Sequence, residues 1–201
     1  GTSQQILITV KPIPVITSTV SNKTVICNNE QVTLTSNSNP AATLYNWQIN
    51  TATGVQIVGG ATSGTSTTGI VNLQLALTNP LVAGTISFDF TPVNGICTGT
   101  TITNAVTITV NPTPSAPTAA ASQLLCPGST VASLQATAGT GETIEWYAAA
   151  TGGSALPSTA SLATGTYYVS QTLNSCESAR TAVSIIVNGN SNSVVDNDGD
   201  G

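Results

Sequence analysis

The sequence predicts an all-β chain built as two sandwich modules in tandem. Three observations carry this: a composition rich in Thr, Ser and Gly and nearly free of charge, short runs in which apolar and polar residues alternate, and one strand ending that recurs three times. Apolar residues make up 40% of the 201 positions and charged residues 5%, with no His and no Met. Thr and the β-branched apolars favour strands, whereas Asn, Ser, Gly and Pro favour the turns between them. The same composition also suits a disordered linker, but the discrete alternating runs argue against that reading.

The balance of charge narrows the function classes. Three Lys and Arg against eight Asp and Glu give a net charge of −5. Nucleic-acid binding needs a cationic surface that displaces counterions, and anionic membranes need one too, so neither partner is expected. No apolar run reaches the roughly 20 residues that span a bilayer. Residues 1–10 lack the charged start and cleavage site of a signal peptide, which places any export signal upstream.

The repeats set the module boundaries. Ile6-Leu7-Ile8-Thr9-Val10-Lys11-Pro12 matches Ala105-Val106-Thr107-Ile108-Thr109-Val110-Asn111-Pro112, and Ala182 to Gly189 ends the series. Each is an alternating strand stopped by Pro or Gly, as a module-closing strand meets a linker. Residues 1–11 therefore read as the last strand of a preceding module, 12–111 and 112–188 as two complete modules, and 189–201 as an acidic linker. Landmarks recur inside the modules: Trp47 follows Cys27, and Trp146 follows Cys126, at the same offset, and Gly84-Thr85 and Gly165-Thr166 each open the strand before the second Cys. The joint from Asn111 to Pro117 holds three prolines and reads as a semi-rigid spacer.

Period-2 alternation locates the strands. Val71, Leu73, Leu75 and Leu77 alternate with Asn72, Gln74 and Ala76, while Ile86, Phe88 and Phe90 alternate with Ser87 and Asp89, which are expected to face water. Gln31 to Ser36, Leu44 to Ile49 and Thr101 to Val110 read likewise. In the second module the strands fall at Val131 to Thr137, Thr143 to Ala148, Gly165 to Gln171 and Arg180 to Val187. Strands of this length and spacing make tandem immunoglobulin-like β-sandwiches, and Tyr167 takes the tyrosine-corner position of such domains, where the first module has Ile86.

Candidate site residues follow from the same faces. Trp47 shares a face with Tyr45, and Trp146 with Ile144, so both indoles belong to the core. Tyr147 and Tyr168 then point outward and are the candidates for stacking on a sugar ligand. Four Cys without His or a C-x-x-C pair argue against zinc and for disulfides in an exported protein. Of the three connectivities open to four Cys, the repeat selects Cys27 with Cys97 and Cys126 with Cys176, since the others cross between modules. No imidazole base and no phosphate loop is present, and Glu142 and Glu145 face opposite sides of a strand, Glu142 as a turn residue and Glu145 in solvent, so no enzyme is expected. In the tail, Asp196, Asp198 and Asp200 with Gly201 match positions 1, 3, 5 and 6 of a calcium loop. Calcium is the one cofactor the sequence suggests.

The phrases Glu145-Trp146-Tyr147-Ala148-Ala149-Ala150-Thr151-Gly152-Gly153 and Leu162 to Gln171 resemble the Ig-like repeats, of the CHU_C-associated type, in large surface and gliding adhesins of Bacteroidetes-type bacteria. The first module resembles the PKD-like type through Val32 to Ser36, Tyr45-x-Trp47 and its two Cys. Such repeats are similar to those exported by the type IX route, and the resemblance implies stalks that hold an adhesive or enzymatic tip away from the cell. Compared with antibody domains the Cys fall outside the facing strands, so the bond is expected to clip loops at one end of the sandwich. The tail also resembles thrombospondin type 3 calcium repeats. The leading expectation is a structural spacer of an extracellular, cell-surface adhesin or filament whose partners are neighbouring modules. The alternatives are a carbohydrate-binding accessory module of a secreted hydrolase that contacts surface glycans, and a filament subunit that donates strand 6–10 to an identical chain.

Overall fold

The computed structural model describes residues 4, 5 and 7–189. The chain divides into two compact units, Gly1–Thr113 and Pro114–Gly201, and each has its own apolar core.

In the first unit ten strands follow in order: β1 Val15–Ser21, β2 Val25–Cys27, β3 Gln31–Asn39, β4 Leu44–Thr53, β5 Val55–Ile57, β6 Ser63–Ser66, β7 Ile70–Leu77, β8 Gly84–Asn94, β9 Cys97–Thr98 and β10 Ile102–Asn111. They form two layers, one ordered β1-β3-β7-β5 and the other β2-β10-β8-β4-β6, with β9 folded back on β8. Pairing is antiparallel except for β2, which runs parallel to the end of β10. The alternation read from the sequence builds the core: Val71, Leu73, Leu75 and Leu77 from one layer meet Ile86, Phe88 and Phe90 from the other. Trp47 lies among them, edge-on to Phe88 with ring centroids 6.2 Å apart. Its cross-strand neighbour is Gly64, where a Cβ would stand 2.8 Å from the indole ring. Only glycine lets the ring lie flat across β6.

Ser87 and Asp89 depart from the expectation. They alternate outward on β8 but are only 2% and 5% exposed, because β8 is a central strand flanked by β10 and β4 and polar side chains from both neighbours close over it. Leu7, Ile8 and Val10 also differ from the strand expected there. They belong to no sheet and are 92%, 79% and 85% exposed.

The second unit is smaller. Strands β11 Ser122–Leu125, β12 Thr143–Tyr147, β13 Gly165–Leu173, β14 Cys176–Glu177 and β15 Thr181–Val187 form one sheet ordered β11-β15-β13-β12, with β14 on β13. The opposite layer is mostly irregular, held by the bridges Thr118↔Thr137 and Thr130↔Ser161. The strand expected over Val131 to Thr137 is instead a 3-10 turn at Val131–Ser133. Its apolar residues, Val131 and Leu134, are three apart, which places both on one side of a 3-10 turn but on opposite faces of a strand. Both are buried and pack with Trp146, Leu162, Val169, Val183 and Ile185. Tyr167 makes the corner read from the sequence: its hydroxyl accepts the Ala163 N–H at 3.2 Å. The segment that leads in is fastened to this unit, since the Gln171 side-chain amide donates to the Ser115 carbonyl at 2.7 Å and the Thr181 hydroxyl to the Pro117 carbonyl at 2.8 Å.

Candidate functional site

The chemistry of this charge-poor chain collects on the outer faces of the two large sheets. On the second unit, the register sets Tyr147 opposite Tyr168 and Glu145 opposite Ser170, so the two tyrosines singled out from the sequence are side by side. They are not equivalent. Tyr168 is half-buried. Tyr147 is only 5% exposed, because the Arg180 guanidinium lies 3.3 Å from its ring centroid, within cation–π range. The ring face expected to receive a sugar is already covered.

Arg180 has further bonds. Its Nη1 donates to the carbonyls of Ala149 at 2.9 Å and Gly152 at 2.7 Å, and its Nε donates to Glu177 at 3.0 Å. Ser170 donates to the same carboxylate at 2.8 Å. Burial pushes the Glu177 carboxyl up, but the hydrogen bonds from Ser170 and Arg180 and the Arg180 charge outweigh it, leaving the pKa below the usual value. The Tyr147 hydroxyl donates to Glu145 at 2.8 Å; burial, then this bond, raises its pKa. Glu145, expected in solvent, is half-buried as an acceptor. An open cleft of about 410 Å³ lies against this cluster, lined by Thr151, Gly152, Glu177 and Arg180 among others. The arrangement ties the 148–153 loop to the sheet. Glu177, the carboxylate at the cleft, is engaged by Ser170 and Arg180.

The first unit carries a related network. Asp89 accepts from the Asn50 amide at 2.7 Å, the Gln48 amide at 3.2 Å and the Asn104 N–H at 3.0 Å. Ser87 donates to Asn104 Oδ1 at 2.7 Å. Burial pushes the Asp89 carboxyl up, and the three donors more than offset it, so its pKa is lowered. Asn104 itself sits at φ 50° where the β8–β10 register shifts, so this network fixes a bulge. Sequence reasoning passed over Asp89, Arg180 and Glu177. The available signal was a charged residue within or beside a strand in a chain that has few charges.

The cysteines correct an expectation. Cys97 and Cys126 are free thiols, whereas Cys27 and Cys176 are disulfide-bonded. Neither expected closure, Cys27 with Cys97 or Cys126 with Cys176, is formed, and the register explains why. Cys27 pairs with Asn111 at the end of β10, while Cys97 pairs with Asn94 at the far end of β8. At about 3.3 Å per residue the length of β8 separates them by roughly 30 Å, against a Cα separation of about 7 Å at most for a disulfide. Cys126 follows Leu125, which pairs with Val187, and Cys176 pairs with Leu173 at the other end of β13.

Trp47 and Trp146 are core residues, 7% and 5% exposed. Asp196, Asp198 and Asp200 lie outside the described residues. Among the described residues no three His, Cys, Asp or Glu side chains converge as a metal site, and no helix is long and apolar enough to cross a membrane.

Fold and faces define a pair of immunoglobulin-like β-sandwich modules. The family model described as "Ig-like domain CHU_C associated" matches residues 114–188. No curated protein matches the chain. Among solved structures the chain is similar to the N-terminal Ig1-2 module of the Drosophila receptor protein tyrosine phosphatase DLAR, at 12% identity over 88% of this chain and 100% of that one, with a TM-score of 0.29. It is similar to the tandem Ig repeats of Dlar at 11% identity, over 88% of this chain and 98% of that one, with a TM-score of 0.25. A third is Dpr2 Ig1-Ig2 in complex with DIP-Theta Ig1-Ig3, at 11% identity, 86% and 66% coverage and a TM-score of 0.28.

Proposed function

We propose that the two units are non-catalytic spacer modules in the stalk of a large, secreted bacterial cell-surface adhesin, the first of the PKD-like kind and exported by the type IX route. The observation that carries this reading is the use made of Arg180: its guanidinium covers Tyr147 and binds the Ala149 and Gly152 carbonyls. This aromatic and charged cluster on the second sheet braces its own loop, as a module held under tension requires. Replacing both units in the full-length protein by unrelated Ig-like modules of equal length tests the reading. Surface display and adherence are expected to persist; display with adherence lost overturns it.

A second reading, a carbohydrate-binding accessory module, draws on Tyr168, the half-buried aromatic on the same face. A glycan array probed with the wild-type chain and with Tyr168→Ala separates the two. Retention that disappears with the substitution favours the second reading, and no retention favours the spacer. The tail Asp196-Asn197-Asp198-Gly199-Asp200-Gly201 is read as the opening of a calcium loop that orders the next module. Calorimetric titration into a chain extended past residue 201 is expected to show heat at millimolar calcium, and its absence defeats the assignment.

A further inference from the structure

Each unit carries one cysteine at each end of its sheet. At the leading end, where the chain comes in, Cys97 closes the β8–β9 hairpin opposite Asn94, and its thiol lies 3.6 Å from the Lys11 carbonyl of the incoming chain. Cys176 has the same place in the second unit: it closes the β13–β14 hairpin opposite Leu173, at the end where Thr181 holds the incoming Pro117. At the trailing end, Cys27 finishes β2 beside Asn111, the last residue of β10. Cys126 directly follows β11, whose last residue pairs with Val187 at the end of β15.

The two ends of one module are too far apart to be bridged, since roughly 25–30 Å of strand lies between them and a disulfide tolerates about 7 Å between Cα atoms. A module of this build can therefore use its cysteines only outward. Both kinds of end are found oxidised: Cys27 is a trailing-end cysteine and Cys176 a leading-end cysteine, and both are disulfide-bonded. Their counterparts, Cys97 at a leading end and Cys126 at a trailing end, are thiols, half-buried and exposed respectively.

We propose that Cys126 and Cys97 are the two open halves of a module-to-module disulfide, each pairing with the opposite end of a further module of the same build, for which a second copy of this chain serves. A bond between Cys126 and Cys97 joins a trailing end to a leading end, so the linkage is head-to-tail and extends a chain of modules. The inference does not depend on the spacer reading; it holds equally for modules that bind a glycan.

The chemistry needs a disulfide oxidant, such as oxidised glutathione or a dithiol oxidoreductase. The Cys126 thiolate attacks the oxidant and displaces one of its thiolates, leaving a mixed disulfide. The Cys97 thiolate of the next copy then attacks the Cys126 sulfur and displaces the other. One S–S bond forms between copies, the oxidant is reduced to two thiols, and the two cysteine protons pass to them.

The test incubates concentrated chain in a glutathione redox buffer, followed by non-reducing electrophoresis and peptide mapping. Wild-type chain is expected to give a ladder of oligomers containing a Cys97–Cys126 peptide. Cys97→Ser and Cys126→Ser are each expected to stay monomeric alone and to stop at a dimer when mixed. A Cys97–Cys97 or Cys126–Cys126 peptide, a Cys97–Cys126 bond within a monomer, or monomers that keep both thiols would each overturn the proposal.

Discussion

Arg180 and Tyr167 show what single side chains contribute. Arg180→Ala removes two carbonyl contacts, uncovers Tyr147 and leaves Glu177 without its cation. The expected loss is about 1.5–3 kcal/mol of stability, as for hydrogen bonds from a charged group, read by chemical denaturation. Tyr167→Phe keeps the ring and deletes only the acceptor for Ala163, so a smaller loss, about 0.5–1.5 kcal/mol, is expected. Acid should act through the carboxylates. Asp89, Glu177 and Glu30, the last through hydrogen bonds from Lys23 and the Cys27 N–H, all have lowered pKa values, so near those values the unfolded chain binds more protons than the folded one. Their stabilisation is present above the unfolded pKa and is lost as the pH falls through the folded values. Asp89→Asn is expected to flatten the acid limb of a stability–pH curve; an unchanged limb would remove Asp89 from this account.

Among the elements, the β4–β6 pair and the 131–134 segment are most instructive. Gly64→Ala sets a methyl against the rigid Trp47 indole, and overpacking of this kind costs typically 1–3 kcal/mol. The near-ultraviolet circular dichroism of Trp47 should change with it, whereas a structurally silent substitution would show that β6 can move away. The strands over 71–77 and 86–90 were legible because apolar residues at every second position have one face to bury. The segment from Val131 was not, because its apolar residues are three apart within a stretch too short to show a period. Likewise residues 7–10 alternate as a strand does, but a strand exists only where an edge pairs with it.

For the whole molecule, the two separate cores imply two folding units. Residues 12–113 and 114–189, expressed apart with Cys27 or Cys176 replaced by Ser, are each expected to unfold cooperatively on heating. Gradual melting of either piece would show that its core is incomplete alone. The smaller unit should melt lower, because it has one regular sheet and buries fewer side chains.

The sequence by itself determined the all-β class, the tandem plan, the two core tryptophans and the corner tyrosine. These depend on local alternation and on landmarks repeated at fixed offsets, which survive without coordinates. Tertiary structure alone decided which outward residues are buried, since Asp89 is covered by the Gln48 and Asn50 side chains and Tyr147 by Arg180, all far away in sequence. It also decided the cysteine ends. Equal spacing in two repeats shows that the cysteines correspond, but only strand direction and register show that Cys27 and Cys97, like Cys126 and Cys176, stand at opposite ends of a sheet too long for a disulfide to bridge.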